Sequence, residues 1–376
     1  MSGIYIHIPF CKQACHYCDF HFSTSLKKKG EMIDAIIGEL IMRKEEFKDE
    51  QVATIYFGGG TPSVLSSEEI GKIIEAVYKN YEVIKNPEIT LEANPDDLSE
   101  SKIKEISSSK VNRLSIGIQS FFEKDLKLMN RAHDAEEAKN CLSVATRHFE
   151  NISLDLIYGI PNTTNEEWRA NIKTALSFGV PHISSYALTV EPKTALESYI
   201  KKGVIDDVND EQAQEQFLIL IDELEKANFV HYELSNFGKE GFFSKNNSSY
   251  WQGKKYIGIG PSAHSFNGKE RSWNIANNAK YIKAIQQGEL PNEVEELSKT
   301  DRYNEYVMTG LRTIWGVSLE KVKADFGEDF LKYLEKQSEK YILEELLYIE
   351  NKTLKATRQG KFLTDGIASN LFKINL

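Results

Sequence analysis

The sequence predicts an α/β protein, with a partial (β/α)6 barrel of the TIM-like type over residues 1–285 and a small α+β domain over residues 286–376. The main observation is an alternation of short apolar runs with amphipathic stretches, whose apolar residues recur near the 3.6-residue period of a helix. Strand and helix units in series form a parallel sheet with right-handed crossovers. The predicted strands are residues 4–8, 54–57, 89–93, 113–118, 152–158 and 183–188.

The second half of the chain lacks this alternation. A long helix is predicted over residues 210–227, a strand over residues 231–237 and a polar loop over residues 238–253. The charged residues 286–300 are predicted to link the two domains. Beyond them, helical patterns followed by a hairpin and a short last helix resemble a winged-helix module. Because the ligands of such barrels gather at the C-terminal ends of the strands, we expect the functional residues there.

The composition excludes several classes of protein. The formal net charge is −10, so the chain lacks the basic surface that a nucleic-acid-binding protein needs. No apolar stretch is long enough to form a transmembrane segment, although peripheral membrane contact stays open. The N-terminus does not resemble a signal peptide, which predicts a cytoplasmic protein with reduced cysteines. Cys141 lies in a helical pattern and is predicted to be a small buried residue.

Three of the four cysteines lie within eight residues, directly after the first predicted strand. Cys11, Cys15 and Cys18 have the spacing C-x3-C-x2-C, which in a reducing compartment indicates a metal site rather than disulfides. Three thiolates on one loop can ligate three irons of a [4Fe–4S] cluster and leave the fourth iron open. The amino and carboxylate groups of S-adenosylmethionine (SAM) can chelate that iron, and the reduced cluster can then cleave the sulfonium. A zinc site that adds His16 or His21 is the alternative.

A glycine-rich turn follows the second predicted strand. In FGGGTPS, Gly58, Gly59 and Gly60 precede Thr61. Glycines let the backbone approach a ligand closely and adopt a positive φ. A glycine triplet is often only a turn, but its place one βα unit after the cysteine loop favours a binding role. Its exposed carbonyl groups are predicted to accept hydrogen bonds from the amino group of SAM.

Polar side chains stand at the ends of the next predicted strands. Glu92 ends the third strand, Gln119 follows the fourth, and Arg131 lies in the loop beyond it. Asp155 lies inside an apolar run, where a carboxylate is costly unless it has a partner. Either Asp155 forms a buried ion pair with Arg131, or Asp155 holds the ribose hydroxyls of SAM while Arg131 donates to the SAM carboxylate. The neighbouring cysteine loop favours the second explanation.

Taken in order, these motifs resemble the radical SAM family of the oxygen-independent coproporphyrinogen III oxidase and the HemW-type heme chaperones. The resemblance runs from residue 5 to about residue 266, with a weaker likeness near the C-terminus. It implies a barrel of the radical SAM type, a [4Fe–4S] cluster on the three cysteines, and bound SAM. The motifs that carry it are YIHIPFCKQACHYCDF, FGGGTPS, LEANPDD, RLSIGIQSF, NRAHD and DLIYGIP.

The resemblance also implies which residues contact SAM. The SAM bound at the cluster would be contacted by Tyr5, Gly59, Glu92 and Ala187. A second group would line the same cavity, where the oxidase holds a second SAM. This group consists of Tyr17, Gly60, Thr61, Gln119, Arg131 and Asp155.

Two departures from the oxidase favour the chaperone branch. The oxidase carries a fourth cysteine where this chain has Phe20, and it has a long N-terminal extension before its cluster loop. The chaperone branch usually carries an HNxxYW motif that is a candidate heme site. Here Asn246 replaces the motif histidine, and its amide cannot act as an axial ligand as an imidazole does. His231 and His264 are the substitutes, each with a hydrogen-bonded structural role as the alternative.

Three functions follow from this resemblance. The first is a heme chaperone that binds heme and SAM, receives electrons from a donor, and passes heme to acceptor proteins such as respiratory enzymes. The second is an oxidase that decarboxylates porphyrinogen propionates, and the third is a radical SAM enzyme with another substrate. Phe20 and the short N-terminal segment favour the first over the second.

Overall fold

The computed structural model describes residues 2–374 of the chain. Its first half is a parallel sheet whose neighbouring strands pair in sequence order. The predicted partial (β/α)6 barrel is therefore confirmed. Its strands are β1 (Ser2–Ile8), β2 (Val52–Gly59), β3 (Val83–Ala93), β4 (Arg113–Gln119), β5 (Ile152–Tyr158) and β6 (His182–Ala187).

Helices follow these strands along the chain. Three of them begin with a capping box, in which the side chain of Ser66, Asp134 or Thr164 accepts a hydrogen bond from the backbone three residues later. The long helix predicted over residues 210–227 is confirmed. The helices are α1 (Lys29–Met42), α2 (Ser67–Asn80), α3 (Glu100–Ser107), α4 (Glu123–Leu128), α5 (Ala135–His148), α6 (Asn165–Ser177), α7 (Ala195–Lys201) and α8 (Asp210–Lys226).

The two faces of the barrel wall differ in polarity. Successive side chains of a strand point to opposite faces, and on the outer face Ile4, Phe57 and Leu91 are buried in one large apolar core with the helices. On the inner face Glu92 pairs with a serine across the sheet, and Asp155 pairs with a glycine. The barrel interior is therefore polar, unlike the apolar interior of a closed eight-stranded barrel.

Six further strands extend this sheet on both sides. The order is β12-β11-β10-β9-β1-β2-β3-β4-β5-β6-β8-β7, so β12 and β7 are the two edges and the barrel stays open. The added strands are β7 (Val230–Glu233), β8 (Asn236–Gly238), β9 (Tyr256–Ile259), β10 (His264–Phe266), β11 (Glu270–Asn274) and β12 (Asn292–Glu296).

Three sequence-based expectations for this region are wrong in detail. The strand predicted over residues 231–237 is a hairpin of β7 and β8. The loop predicted over residues 238–253 contains helix α9 (Lys245–Trp251), which is short and rich in Asn and Ser, residues that favour turns and caps. The linker predicted over residues 286–300 contains β12, which pairs with β11. Its charges belong to an exposed edge strand, where they discourage pairing with other chains.

The C-terminal part is a small α+β unit with its own apolar core. Its three strands form a separate antiparallel sheet in the order β13-β15-β14, and the predicted hairpin is confirmed. The division into residues 1–285 and 286–376 stays a prediction. The remaining elements are α10 (Asn278–Gln286), α11 (Lys299–Leu311), β13 (Val317–Ser318), α12 (Leu319–Phe326), α13 (Glu328–Leu343), β14 (Leu347–Glu350), β15 (Thr353–Ala356), α14 (Arg358–Phe362) and α15 (Thr364–Asn370).

Residues 2–374 contain no helix that combines the length and the apolar composition needed to cross a bilayer.

Candidate functional site

A cavity of about 610 Å³ opens at the C-terminal ends of the barrel strands. All of the predicted cluster and SAM residues line it except Tyr5, whereas the candidate heme ligands His231 and His264 do not. Tyr5 lies deeper, with its ring stacked on Tyr56 at a centroid distance of 6.0 Å and its hydroxyl 3.5 Å from His7 Nδ1. The fold therefore gathers residues that are up to 176 positions apart in the chain, from Cys11 to Ala187, around one space.

The cysteine loop is held to the barrel by backbone hydrogen bonds. The N–H of Cys11 donates to the carbonyl of Ser23 (3.1 Å), which closes the loop at its base. The N–H of Thr61 donates to the carbonyl of Phe10 (2.7 Å), and the N–H of His16 donates to a carbonyl at the C-terminal end of α4 (3.1 Å). These bonds fix the loop against β2 and α4, so the three thiols have a defined place.

The glycine-rich turn is required by the close approach of β2 to this loop. A Cβ atom on Gly60 would lie only 2.6 Å from the carbonyl oxygen of Phe10 and 2.8 Å from that of Ile8. Gly59 has a φ of +104°, and a Cβ there would lie 2.5 Å from the His7 ring. Only glycine fits both conditions without moving the backbone.

The three thiols suit the predicted cluster. Cys11, Cys15 and Cys18 are free cysteines that face the same cavity. Burial raises the pKa of the Cys11 thiol to about 11, against a hydrogen bond of 3.3 Å donated by the Thr61 hydroxyl, and burial also raises the pKa of Cys18. A thiol ligates iron as a thiolate, so cluster assembly must release these protons. Three sulfur ligands on one loop fit a cluster with one open iron.

Arg131 lies beside the cysteine loop rather than beside Asp155. Its Nη2 donates to Asn94 Oδ1 (2.7 Å) and to the carbonyl of Gly117 (2.8 Å), while its Nη1 lies 3.3 Å from Cys15 Sγ. The alternative ion pair between Arg131 and Asp155 does not form in the part of the chain that the structure describes. The buried Nε of Arg131 has no hydrogen-bond partner among the described residues. This atom is available to an anionic ligand group in the cavity.

Asp155 is surrounded by serine hydroxyls on the inner face of the sheet. Ser115 Oγ lies 3.3 and 3.4 Å from its two carboxylate oxygens, Ser153 Oγ lies 3.4 Å from one of them, and Ser184 also donates to it. Burial raises the pKa of Asp155 to about 6, although the Arg113 guanidinium and the serines act in the opposite direction. The group therefore changes charge close to physiological pH.

Glu92 is the second carboxyl group of the cavity. It accepts a hydrogen bond of 2.8 Å from the Tyr56 hydroxyl and another from the N–H of Gly59. Burial raises its pKa to about 7, and the negative charge of Asp155 adds to this rise. Carboxyl groups with pKa values raised towards neutrality are typical of functional sites, although structural networks also produce them.

The remaining predicted residues line the wall and the mouth of the cavity. Gln119 has a φ of +69° and follows an irregularity in the pairing of β4 with β5, which turns its backbone out of the strand. Tyr17 is half-buried, and burial raises the pKa of its hydroxyl. Ala187 ends β6, and Phe20 lies at the mouth with 66% of its surface exposed.

The zinc alternative finds no support. His16 Nδ1 lies 2.8 Å from the carbonyl of Leu128, and His21 Nε2 lies 2.8 Å from Asn278 Oδ1, so each ring uses one nitrogen in a hydrogen bond. Within residues 2–374 no three His, Cys, Asp or Glu side chains converge as ligands of one ion would.

Asn246 lies towards the N-terminal end of the barrel, away from the cavity. The Glu88 carboxylate accepts hydrogen bonds from the backbone N–H of Lys245 (3.1 Å) and of Asn246 (3.0 Å), and Thr54 Oγ1 donates to Asn246 Oδ1 (2.9 Å). Asn246 is only 2% exposed. Helix α9 therefore plugs this end of the barrel, and the position of Asn246 is closed to a bound macrocycle.

Sequence reasoning missed several residues of the cavity and its floor. Ser115, Gly117 and Tyr186 line the cavity, and Arg113 lies beneath it. The signal was present, because Arg113, Ser115 and Gly117 alternate with apolar residues in RLSIGIQ and so share one face of β4. The apolar residues of that run predicted a strand, but they did not show that its other face lines a polar interior.

The barrel, the cysteine loop and the cavity together define a radical SAM protein. Residues 5–175 match the model of the radical SAM superfamily, and residues 297–363 match the HemN C-terminal domain. The heme chaperone HemW of Lactococcus lactis is 35% identical to this chain, over 97% of the chain and 98% of the relative. HemW of Bacillus subtilis is 34% identical, over 96% and 97%. The chain belongs to the HemW family of radical SAM proteins.

A solved structure shares the same fold. Coproporphyrinogen III oxidase (HemN) from Escherichia coli superimposes with a TM-score of 0.85 at 22% sequence identity, covering 99% of this chain and 90% of that one. Membership of the superfamily implies a [4Fe–4S] cluster and SAM as cofactors. The assignment of individual residues to these cofactors stays a prediction.

Proposed function

We propose that this protein is a heme chaperone that holds SAM at a [4Fe–4S] cluster and passes heme to acceptor proteins. The observation that carries the proposal is the convergence of three free thiols, a guanidinium and the half-buried carboxyl groups of Glu92 and Asp155 on one cavity. The HemW relatives indicate the cargo, because they are heme chaperones and match this chain over nearly its whole length.

The cysteines would hold the cluster. Cys11, Cys15 and Cys18 supply three thiolates from a loop that backbone hydrogen bonds hold in place. The Thr61 hydroxyl and the Arg131 guanidinium donate towards sulfur atoms, which favours the thiolate over the thiol. When bound, the cluster supplies an electron for reductive cleavage of SAM, and the electron comes from a donor protein.

The polar groups of the cavity would orient SAM. The free Nε of Arg131 donates to the carboxylate, the carbonyl groups of the glycine turn accept from the amino group, and Asp155 accepts from the ribose hydroxyls. The half-buried ring of Tyr17 offers an apolar face to the adenine. The other proposed SAM contacts are Tyr5, Gly59, Gly60, Thr61, Glu92, Gln119 and Ala187.

His264 is the proposed axial ligand for heme. Of the eight histidines, all within the described residues, only His148 and His264 are exposed. His148 ends α5 on the outer face, whereas His264 lies in β10 with its ring 6.1 Å from that of Trp273. Burial and the charge of Arg271 lower the pKa of His264, which favours the neutral imidazole that binds iron.

His231, the other predicted substitute, does not suit this role. It is buried, its Nε2 lies 3.1 Å from the carbonyl of Leu234, and its Nδ1 lies 2.9 Å from Lys361 Nζ. Neither ring nitrogen is therefore free to reach an iron atom.

Heme titration under anaerobic conditions tests the proposal. The cluster-containing protein should bind heme with a Soret band typical of histidine ligation, and His264→Ala should lose this band. His148→Ala, which removes the other exposed imidazole, is the matched control and should keep it. If His264→Ala still bound heme stoichiometrically with an unchanged spectrum, His264 would be rejected as the axial ligand. If the unmodified protein bound no heme, the chaperone function would be rejected.

Serine substitutions test the cluster separately. Cys11→Ser, Cys15→Ser and Cys18→Ser should each reduce the iron content and the absorption near 400 nm after reconstitution. Cys141→Ser is the matched control, since Cys141 is buried in α5 far along the chain from the loop. Equal cluster content in all four variants would contradict the proposed ligands.

We propose that this protein acts in the cytoplasm and passes heme to acceptors such as respiratory enzymes. Coproporphyrinogen III, SAM and a reductant serve as the comparison assay for the oxidase alternative, which Phe20 in place of a fourth cysteine disfavours. Formation of protoporphyrinogen in that assay would establish the oxidase and contradict the chaperone proposal.

A further inference from the structure

Arg113 lies in the barrel interior beneath the cavity. It opens β4 and is only 1% exposed. Its Nη2 lies 3.5 Å from Nδ1 of His182, and its buried Nε has no partner among residues 2–374. A buried guanidinium is costly unless nearby negative charge compensates it.

The strand register places the two cavity carboxyl groups above Arg113. Ser115, two residues further along β4 on the same face, is the neighbour of Glu92, and Gly117 is the neighbour of Asp155. One such step along a strand is about 7 Å, a distance that the long arginine side chain reaches. Gly117 lies two steps from Arg113, but the Asp155 carboxylate lies beside Ser115 Oγ, which is 3.3 and 3.4 Å from its two oxygens. The positive charge of Arg113 accordingly lowers the pKa of Asp155 and of Glu92, against the larger effect of burial.

Among the other described groups around the two carboxyl groups, only Arg131 carries a positive charge near neutral pH. Burial lowers the pKa of His182 well below its ordinary value, and its ring is hydrogen-bonded to Ser153 (2.8 Å) and to Tyr232 (2.7 Å). Arg131 is engaged with Cys15 at the mouth of the cavity. The remaining facing groups are hydroxyls, and burial raises the pKa of each phenol among them. They are Tyr5, Tyr56, Tyr186, Tyr250, Ser115, Ser153 and Ser184.

We propose that Arg113 is a positioning residue that keeps Asp155 ionised at neutral pH so that this carboxylate can accept hydrogen bonds from SAM. The proposal rests on the SAM-binding function proposed above. An ionised carboxylate accepts hydrogen bonds with both oxygens, whereas the protonated group turns one oxygen into a donor. Without the guanidinium, burial would raise the pKa of Asp155 further and favour its protonated form.

Infrared titration of the cluster-containing protein tests the electrostatic part without SAM. The difference between the infrared spectra of the unmodified protein and of Asp155→Asn isolates the carboxylic acid band of Asp155. Arg113→Met should move the pH at which this band disappears upward by about 1–3 units, and Arg113→Lys should move it less. The matched control is Arg169→Met, which removes a half-exposed guanidinium paired on the helix surface. An unchanged midpoint in a folded Arg113→Met variant would overturn the proposal.

Equilibrium dialysis with SAM from pH 5.5 to 9 tests the functional part. In Arg113→Met the pH below which the affinity for SAM falls should rise together with the infrared midpoint. The affinity for SAM at pH 7 should therefore be at least tenfold lower, and it should recover above pH 8.5. A uniform loss of affinity at every pH would mean that Arg113 only supports the fold, and would overturn the proposal.

Two further outcomes separate this inference from the proposed function. If the unmodified protein binds no SAM at any pH but the infrared midpoint still moves, the SAM-binding function fails and the electrostatic role of Arg113 stands. If Arg113→Met does not fold, the infrared band of Asp155 in the unmodified protein is the test. This band must be absent at pH 8, and a band that persists there would overturn the inference.

Discussion

Replacing Asp155 by asparagine should stabilise the fold at neutral pH while it weakens SAM binding. Asparagine has nearly the shape of the protonated carboxyl group, and its Oδ1 can still accept from Ser115, Ser153 and Ser184. What it lacks is the negative charge, which is unfavourable in the buried interior and is needed for the proposed contact with the ribose.

The size of the stabilisation follows from the pKa of this group. The pKa rises from an ordinary value of 3.8 to about 6 in the folded protein. At 1.36 kcal/mol per unit, this shift corresponds to about 3 kcal/mol. Between about pH 4 and pH 6 the folded state keeps a proton that the unfolded state has lost, so the free energy of unfolding falls as the pH rises. Above about pH 6 the full cost is present, and Asp155→Asn avoids it.

Urea unfolding followed by circular dichroism measures this difference. The free energy of unfolding of Asp155→Asn should exceed that of the unmodified protein by up to about 3 kcal/mol at pH 7.5, and this gap should narrow to about 1 kcal/mol at pH 4.5. Asp34→Asn, at an exposed position of α1, is the matched control and should stay within about 0.5 kcal/mol at both pH values. A variant that is less stable at pH 7.5, or a gap that does not depend on pH, would refute the reasoning.

Three further predictions follow from close packing. Gly60→Ala should displace the cysteine loop, since its Cβ would collide with the Phe10 carbonyl; lower cluster content at unchanged helicity would show this, and normal content would contradict it. Trp168→Ala should cost about 3–5 kcal/mol in urea unfolding, because Trp168 is fully buried; a loss under 1 kcal/mol would contradict that packing. Asn246→His should cost about 1–3 kcal/mol, because the larger ring is forced against Thr54; heme affinity should not rise, and a clear gain would contradict the plugged end.

The six strands and the cysteine loop could be predicted because they are local patterns. Apolar runs such as residues 152–158 alternate with helices at regular spacing, and three cysteines within eight residues limit the possible metal chemistry. The glycine turn and the polar residues at strand ends were also visible, since a parallel sheet brings the C-terminal ends of its strands to one edge. The presence of α9 was not visible, because seven residues rich in Asn and Ser have a weak helical signal.

The sequence by itself determined the barrel, the loop that carries the three cysteines and most of the cavity wall, because these depend on the order and spacing of residues along the chain. Only the tertiary structure decided which charges face each other. It paired Arg131 with the cysteine loop, placed Arg113 beneath Asp155, and closed the position of Asn246 with Glu88. Electrostatic partners are chosen by distances across strands that lie far apart in sequence, and the energy of a charge depends on burial that only the folded chain creates.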